Sequence, residues 1–220
     1  MVTNVNLEKL HQAIETRKII TLTTYAYRSD ERNYIDAILD LYLEEAGRKD
    51  LKNQLSYCLH ELAGNAKKAN TKRVYFLEKN LNLYNESEYY IGMNNFKEET
   101  VRNIEYYIGK LREHAFYTKF QFQKADTKIK IAVRNNAPLL SVEYCRIQKK
   151  IQAAREYSTM TEAYASIEDT SEGAGLGLVM MLLMLRSLGM GEEVLKVFSD
   201  KNETVALLTI PLLYPNNLLT

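Results

Sequence analysis

Residues 176–188 read LGLVMMLLMLRSL, and from Leu176 to Leu185 no position carries a polar side chain. A helix that is apolar on every side has no solvent face and must be enclosed by protein or lipid. The run is interrupted by Gly177 and stopped by Arg186. It is too short for a bilayer, which takes about 20 residues. The chain therefore has to fold around a fully buried helix. With 220 residues, 46% hydrophobic and 26% charged, it has enough apolar surface to do so. The net charge of +1 gives no overall field for nucleic acid or an anionic membrane. Cys58 and Cys145 lack metal-ligand spacing, and MVTNVNLEKLHQ lacks a basic-then-apolar leader pattern. Both point to reduced thiols in a cytoplasmic protein without membrane insertion.

Hydrophobic periodicity predicts a helix over 5–18, a β-branched strand at Ile19–Tyr25, a helix over Asp30–Ala46 ended by Gly47, and a second helix from Asp50 to Asn70. Arg73–Leu77 (RVYFL) reads as a strand. Residues 80–116 read as a helical insertion. Tyr117–Gln123 and Lys128–Arg134 alternate about Ala125-Asp126-Thr127 and predict a hairpin. The polar stretch from Pro138 to Glu172 predicts one helix at Val142–Arg155 and a mobile remainder. Strands at Glu193–Phe198 and Thr204–Pro211 follow the buried helix. The resulting fold class is α+β, a mixed sheet with helices on one face.

Directly before the buried helix stands SEGAGLGL, with Gly173, Gly175 and Gly177 at alternate positions. Glycines at a helix N-terminus form a cradle where backbone N–H groups meet an anion, usually phosphate. The same glycines also suit a tight loop and close helix packing. The spacing fits neither the Rossmann fingerprint nor a P-loop. Upstream, HELAGNAKK places Glu61, Asn65 and Lys68 at i, i+4 and i+7, on one face of a helix otherwise apolar at Leu55, Cys58, Leu59 and Leu62. Farther on, IKIAVRNNAPL is a strand running into a polar turn, and TVALLTIP is a late strand.

This order of motifs (Glu-x3-Asn-Ala on a helix, a strand with an Asn-Asn turn, Gly-x-Gly-Leu-Gly-Leu, and a Thr-x6-Pro strand) resembles the GHKL ATPases over residues 50–212. That group includes histidine-kinase catalytic domains, gyrase-type ATPases, ninety-kilodalton heat-shock chaperones and anti-sigma-factor kinases. The resemblance implies a two-layer α/β sandwich of the histidine-kinase-like (Bergerat) type. Residues 1–49 would be a helix-strand-helix extension packed on it, 80–116 an insertion, 139–172 an ATP lid and 213–220 a tail. It implies ATP and Mg²⁺ as ligands. Asn65 would hold the metal, Glu61 would act on the attacking group, and Lys68 would reach phosphate. Gly173, Gly175, Leu176 and Gly177 would form the glycine box. Asn135 and Thr204 would lie at the adenine, and Arg146, Lys149, Lys150 and Arg155 would be lid cations within reach of phosphate, although cations in such a loop equally suit a solvated surface.

The sequence departs from that pattern at the adenine turn. Asn135-Asn136-Ala137-Pro138-Leu139 stands where Asp-x-Gly-x-Gly is usual, and Glu203 replaces the glycine before the late threonine. A neutral acceptor in place of a carboxylate weakens a base contact by about 1–2 kcal/mol. Of the three histidines, His11 sits on a short amphipathic helix, His60 points roughly 100° away from Glu61, and His114 ends the insertion. Two functions follow from the resemblance. One is a stand-alone kinase or ATPase that moves the γ-phosphoryl of Mg-ATP to a protein partner in signalling, or to water. The other is a regulatory nucleotide-binding module with little turnover, acting through protein contacts. The Tyr-rich insertion is the expected place for a homodimer contact.

Overall fold

The computed structural model describes residues 7–166 and 176–212. The elements are α1 (Leu7–Glu15), β1 (Ile20–Thr24), α2 (Ser29–Glu45), α3 (Lys52–Glu78), α4 (Glu86–Arg102), α5 (Ile104–Glu113), β2 (Thr118–Lys124), β3 (Lys128–Asn135), α6 (Ser141–Glu156), α7 (Met160–Ser166), α8 (Leu176–Ser187), β4 (Leu195–Asp200) and β5 (Glu203–Pro211). No helix among the described residues is long and apolar enough to cross a membrane.

The five strands form one sheet in the order β1-β2-β3-β5-β4. Every pairing is antiparallel, so the expected mixed sheet is corrected to a wholly antiparallel one. Strand alternation sends Phe120, Phe122, Ile129, Ile131, Leu208 and Ile210 to one face, where they pack against α2, α3 and α8. The opposite face carries Lys119, Arg134 and Glu203, joined by ion pairs at 3.2 and 2.6 Å. This is an α+β architecture with helices packed on one side of a sheet.

Sequence periodicity accounts for most of these elements. In α2, Ile35, Ile38, Leu39, Tyr42 and Leu43 recur at helical spacing and are all buried. Gly47, at φ +65°, lets Arg48 N–H return to the Leu43 carbonyl (2.8 Å), closing the helix end. The apolar helix α8 is enclosed as its composition demands. Leu178, Met181 and Leu185 join the main core, while Val179 and Leu183 pack with Ala154 of α6 and Ala163 of α7.

Two further expectations are overturned. Arg73–Leu77 is the last part of α3, a 27-residue helix, and not a strand. Val74, Tyr75 and Phe76 are buried in a second core with Phe96, Tyr107 and Leu111 of the insertion. Tyr75 meets the Phe96 ring edge-on at 5.3 Å. Strand preference in aromatic and β-branched residues mostly reflects what they pack on, and here two helices supply that surface. The polar stretch after Pro138 also holds a second helix, α7, beyond the expected α6.

Candidate functional site

The stripe Glu61–Asn65–Lys68 lies along one side of α3 and continues to Lys72, one more turn on. All four line a single cavity of about 230 Å³. Across from them stand Asn135 at the end of β3, Thr204 near the start of β5, Arg146 and Lys150 of α6, and Leu178 of α8. Segments far apart in sequence thus converge on one concavity. Among the described residues, Lys68, Lys72, Arg146 and Lys150 share this lining with Glu61 and Glu143, a set of charges that suits a polyanion.

Glu61 is half-buried, and its Oε1 accepts a hydrogen bond from Asn65 Nδ2 at 3.2 Å. This leaves the Asn65 carboxamide oxygen as its acceptor. A Cβ at Gly177 would lie 2.0 Å from Glu61 Oε1 and 2.1 Å from its Cδ. The carboxylate therefore occupies the space where any other residue at 177 would put its side chain. That close approach is a specific reason for glycine at this position.

The Asn-Asn turn is pinned by side chains. Asn135, 4% exposed, donates from Nδ2 to Asn70 Oδ1 (3.1 Å), and Asn70 donates to the Tyr117 carbonyl (2.8 Å). Asn136 accepts from Tyr117 N–H (2.7 Å) and donates to the Ala115 carbonyl (2.8 Å). Thr204 Oγ1 donates to the Ala137 carbonyl (2.7 Å). Neither Ala137 nor Leu139 has a positive φ, so the missing glycines impose no strain on this turn.

The far wall is an ion cluster. Arg73 donates to both oxygens of Glu143 (2.7 and 2.6 Å) and to the Pro138 carbonyl (2.7 Å), and Lys72 Nζ lies 3.3 Å from Glu143 Oε1. Burial would raise the Glu143 pKa, but the Arg73 hydrogen bonds and the two cations outweigh it and hold it below the usual range. The phenol of Tyr89, on α4, accepts from Lys72 (3.2 Å) and Arg146 (3.0 Å), bringing the insertion to the edge of the site.

Not every expected residue belongs here. Gly173 and Gly175 lie outside the described residues. Leu176 opens α8 half-buried but is off the cavity wall, where Leu178 stands instead. Of the four cations expected to reach phosphate, Lys149 is exposed and away from the cavity, and Arg155 lines a separate one beside Arg186. His60 faces the other side of α3, bonded to Tyr27 OH and, at 3.0 Å, to Asp36. His11 pairs with Glu45 and His114 with Glu78.

Glu203 turns to the outer face of the sheet. Burial raises its pKa, but hydrogen bonds from Tyr117, Arg134 and Lys119 bring it down to about 2. Cys58 is buried, its thiol pushed up to about 12 by desolvation. Cys145 is free and exposed. Sequence reasoning missed Lys72 and Asn70, although Lys72 continues the Glu61–Asn65–Lys68 stripe by four residues. Reading a strand from Arg73 ended that helix too early.

A metal here would have few protein ligands. Among the described residues no group of three or more His, Cys, Asp or Glu side chains could hold a cation. The donors present, the Asn65 oxygen and the Glu61 carboxylate, suit Mg²⁺ that arrives with phosphate oxygens and water.

No family model matches the chain, and no solved structure matches it. It is similar to a protein of Treponema pallidum (strain Nichols) described as uncharacterized, at 40% identity over 207 residues. That stretch covers 94% of this chain and 40% of the relative, so the chain spans about two fifths of the length of the curated relative it matches.

Proposed function

We propose that the cavity beside α3 binds a magnesium nucleoside triphosphate and that the protein is a GHKL-type ATP-dependent kinase or ATPase. The observation that carries this reading is the meeting of Glu61, Asn65 and Lys68 with Asn135 and Thr204 around one cavity. These are the positions that the sequence resemblance assigns to the nucleotide. The phosphates lie toward Lys68, Lys72, Arg146 and Lys150, and the base toward Asn135 and Thr204. The Asn135 oxygen accepts from an exocyclic amino group, a neutral contact in place of the usual charged one.

The Asn65 oxygen would hold Mg²⁺, which would supply neutralising charge to the phosphate oxygens. Glu61 orients the attacking hydroxyl or water and takes its proton as the new P–O bond forms and the bond to the departing diphosphate breaks. The cations around the cavity hold the phosphate chain in line for that attack. The acceptor is a side chain of a signalling partner, or water.

The test is thermal melting of the full chain with Mg-ATP. At 100 times its dissociation constant the ligand adds about 2.7 kcal/mol of stability. The shift should require Mg²⁺ and fall sharply in Asn65→Ala. ADP release should fall in Glu61→Gln with nucleotide binding retained. A melting temperature indifferent to every nucleoside triphosphate ends the reading. A second reading, a regulatory module that binds nucleotide without turnover, is favoured by the Asn65–Glu61 hydrogen bond, which engages one oxygen of the carboxylate. It predicts the Mg-ATP shift with no ADP release from the wild type.

A further inference from the structure

Helix α3 lines a second cavity on another side. Gly64, Lys67 and Thr71 face the insertion, and α3, α4 and α5 enclose about 300 Å³. Phe96, Tyr107, Ile108 and Leu111 are buried and form the floor. Val101 and Ile104 make an apolar rim, 68% and 46% exposed. Lys67 and Lys97 stand at the mouth, and neither ammonium has a hydrogen-bond or ion-pair partner among the described residues.

The charge around Lys67 is unbalanced. Burial, then the Arg32 guanidinium, lowers its pKa. The nearest carboxylates are engaged elsewhere: Glu105 pairs with Arg28, and Glu31 bonds Thr24 and the Arg28 N–H. An anion in this cavity would meet lysines of two of its walls, Lys67 of α3 and Lys97 of α4.

The lining also says what the rest of the ligand is. Each hydroxyl in the wall already donates within the protein: Thr71 to the Lys67 carbonyl (2.9 Å), Thr100 to the Phe96 carbonyl (2.6 Å), and Tyr107 to Glu99 (2.9 Å). A peptide backbone inserted here would leave its amides unpaired, at a high desolvation cost. A hydrocarbon chain has no such groups to satisfy.

We propose that this cavity binds an amphipathic anion, an acyl chain of medium length with its tail between α4 and α5 and its carboxylate on Lys67 and Lys97. Only Lys68 is common to this cavity and the one described above, so the inference does not depend on the nucleotide reading.

Gly64 offers a clean block. Gly64 lines the cavity and a Cβ there meets nothing within 4 Å, so Gly64→Leu adds bulk at the cavity wall without a clash, and replacing glycine in a helix favours folding. Binding of decanoate to the full chain is measured by titration calorimetry, with decanol and decyltrimethylammonium as controls. Decanoate should saturate a single site. Its affinity should fall about tenfold in Lys67→Met, the loss of one charge-assisted bond. It should be lost in Gly64→Leu, whose melting temperature is unchanged or raised. Absence of saturable decanoate binding, undiminished binding by Gly64→Leu, or equally tight binding of the cationic analogue would each overturn the proposal.

Discussion

The two cavities share one helix and differ in how many parts of the chain build them. The first combines polar side chains drawn from α3, β3, α6 and β5 with apolar ones such as Leu62, Val133 and Leu139, and is braced by the Arg73–Glu143–Lys72 cluster. The second is a gap between three helices consecutive in sequence, held by aromatic and aliphatic packing. The difference teaches that a polar site shows in a sequence as residues out of keeping with their helix. An apolar site is written in the same letters as a core and shows only once the packing is known.

The sharpest way to break the comparison is to remove one brace from each. Glu143→Ala leaves two buried cations without their anion and should cost about 3–5 kcal/mol in urea unfolding. Phe96→Ala empties part of the second core and should cost about as much. Their pH dependence should differ. Glu143 has a depressed native pKa, so its contribution is full above the ordinary carboxylate value near 4.5 and is lost as the pH falls through the native value. Acid sensitivity should diminish in Glu143→Gln and persist in Phe96→Ala. Equal acid profiles would show that the ion cluster does not brace the first cavity.

Gly177→Ala sharpens the account of that cavity. The added methyl displaces the Glu61 carboxylate, the flexible end of a side chain, while improving helix propensity. Stability should change by less than about 1 kcal/mol, and any nucleotide turnover should fall about 100-fold, the scale of a lost general base. Turnover unchanged in this variant would detach Glu61 from the chemistry.

Smaller effects follow at the turn and on the outer sheet face. Asn135→Asp restores the charge usual in the resembled family, yet it sets a carboxylate against Asn70 Oδ1 and should cost about 1–3 kcal/mol without ligand. Asn70→Asp should not repair this, because Asn70 Nδ2 also serves the Tyr117 carbonyl. Glu203→Gln should cost about 1 kcal/mol at neutral pH and remove the acid loss that the wild type shows between about 4.5 and about 2. Thermal melts across that range measure it.

The legible parts of this chain were those with a period or a clash of type. The enclosure of α8 follows from ten positions without a polar side chain, and the β2–β3 hairpin follows from its alternation. Glu61, Asn65 and Lys68 stood out as polar residues in a row on an apolar helix. What escaped depended on neighbours. RVYFL became helix because α4 and α5 cover it. That covering also hid Lys72 and Asn70 from the site and made α3 longer than its own letters suggest. Glu203, an apparent departure from a motif, is explained by Tyr117, Lys119 and Arg134, which reach it from two other strands or their approach.

One consequence concerns the order in which the molecule is completed. Strand β5 lies inside the sheet, next to β3, and their pairing joins Asn135 to Thr204 across the whole of α6, α7 and α8. Closing so long a loop carries an entropic cost that local hairpins avoid. A chain whose residues 203–211 have not yet joined the sheet carries every polar residue of α3 and still lacks Thr204 and Ala206 on the wall of the first cavity. The first cavity is therefore a property of the finished sheet and not of α3 alone.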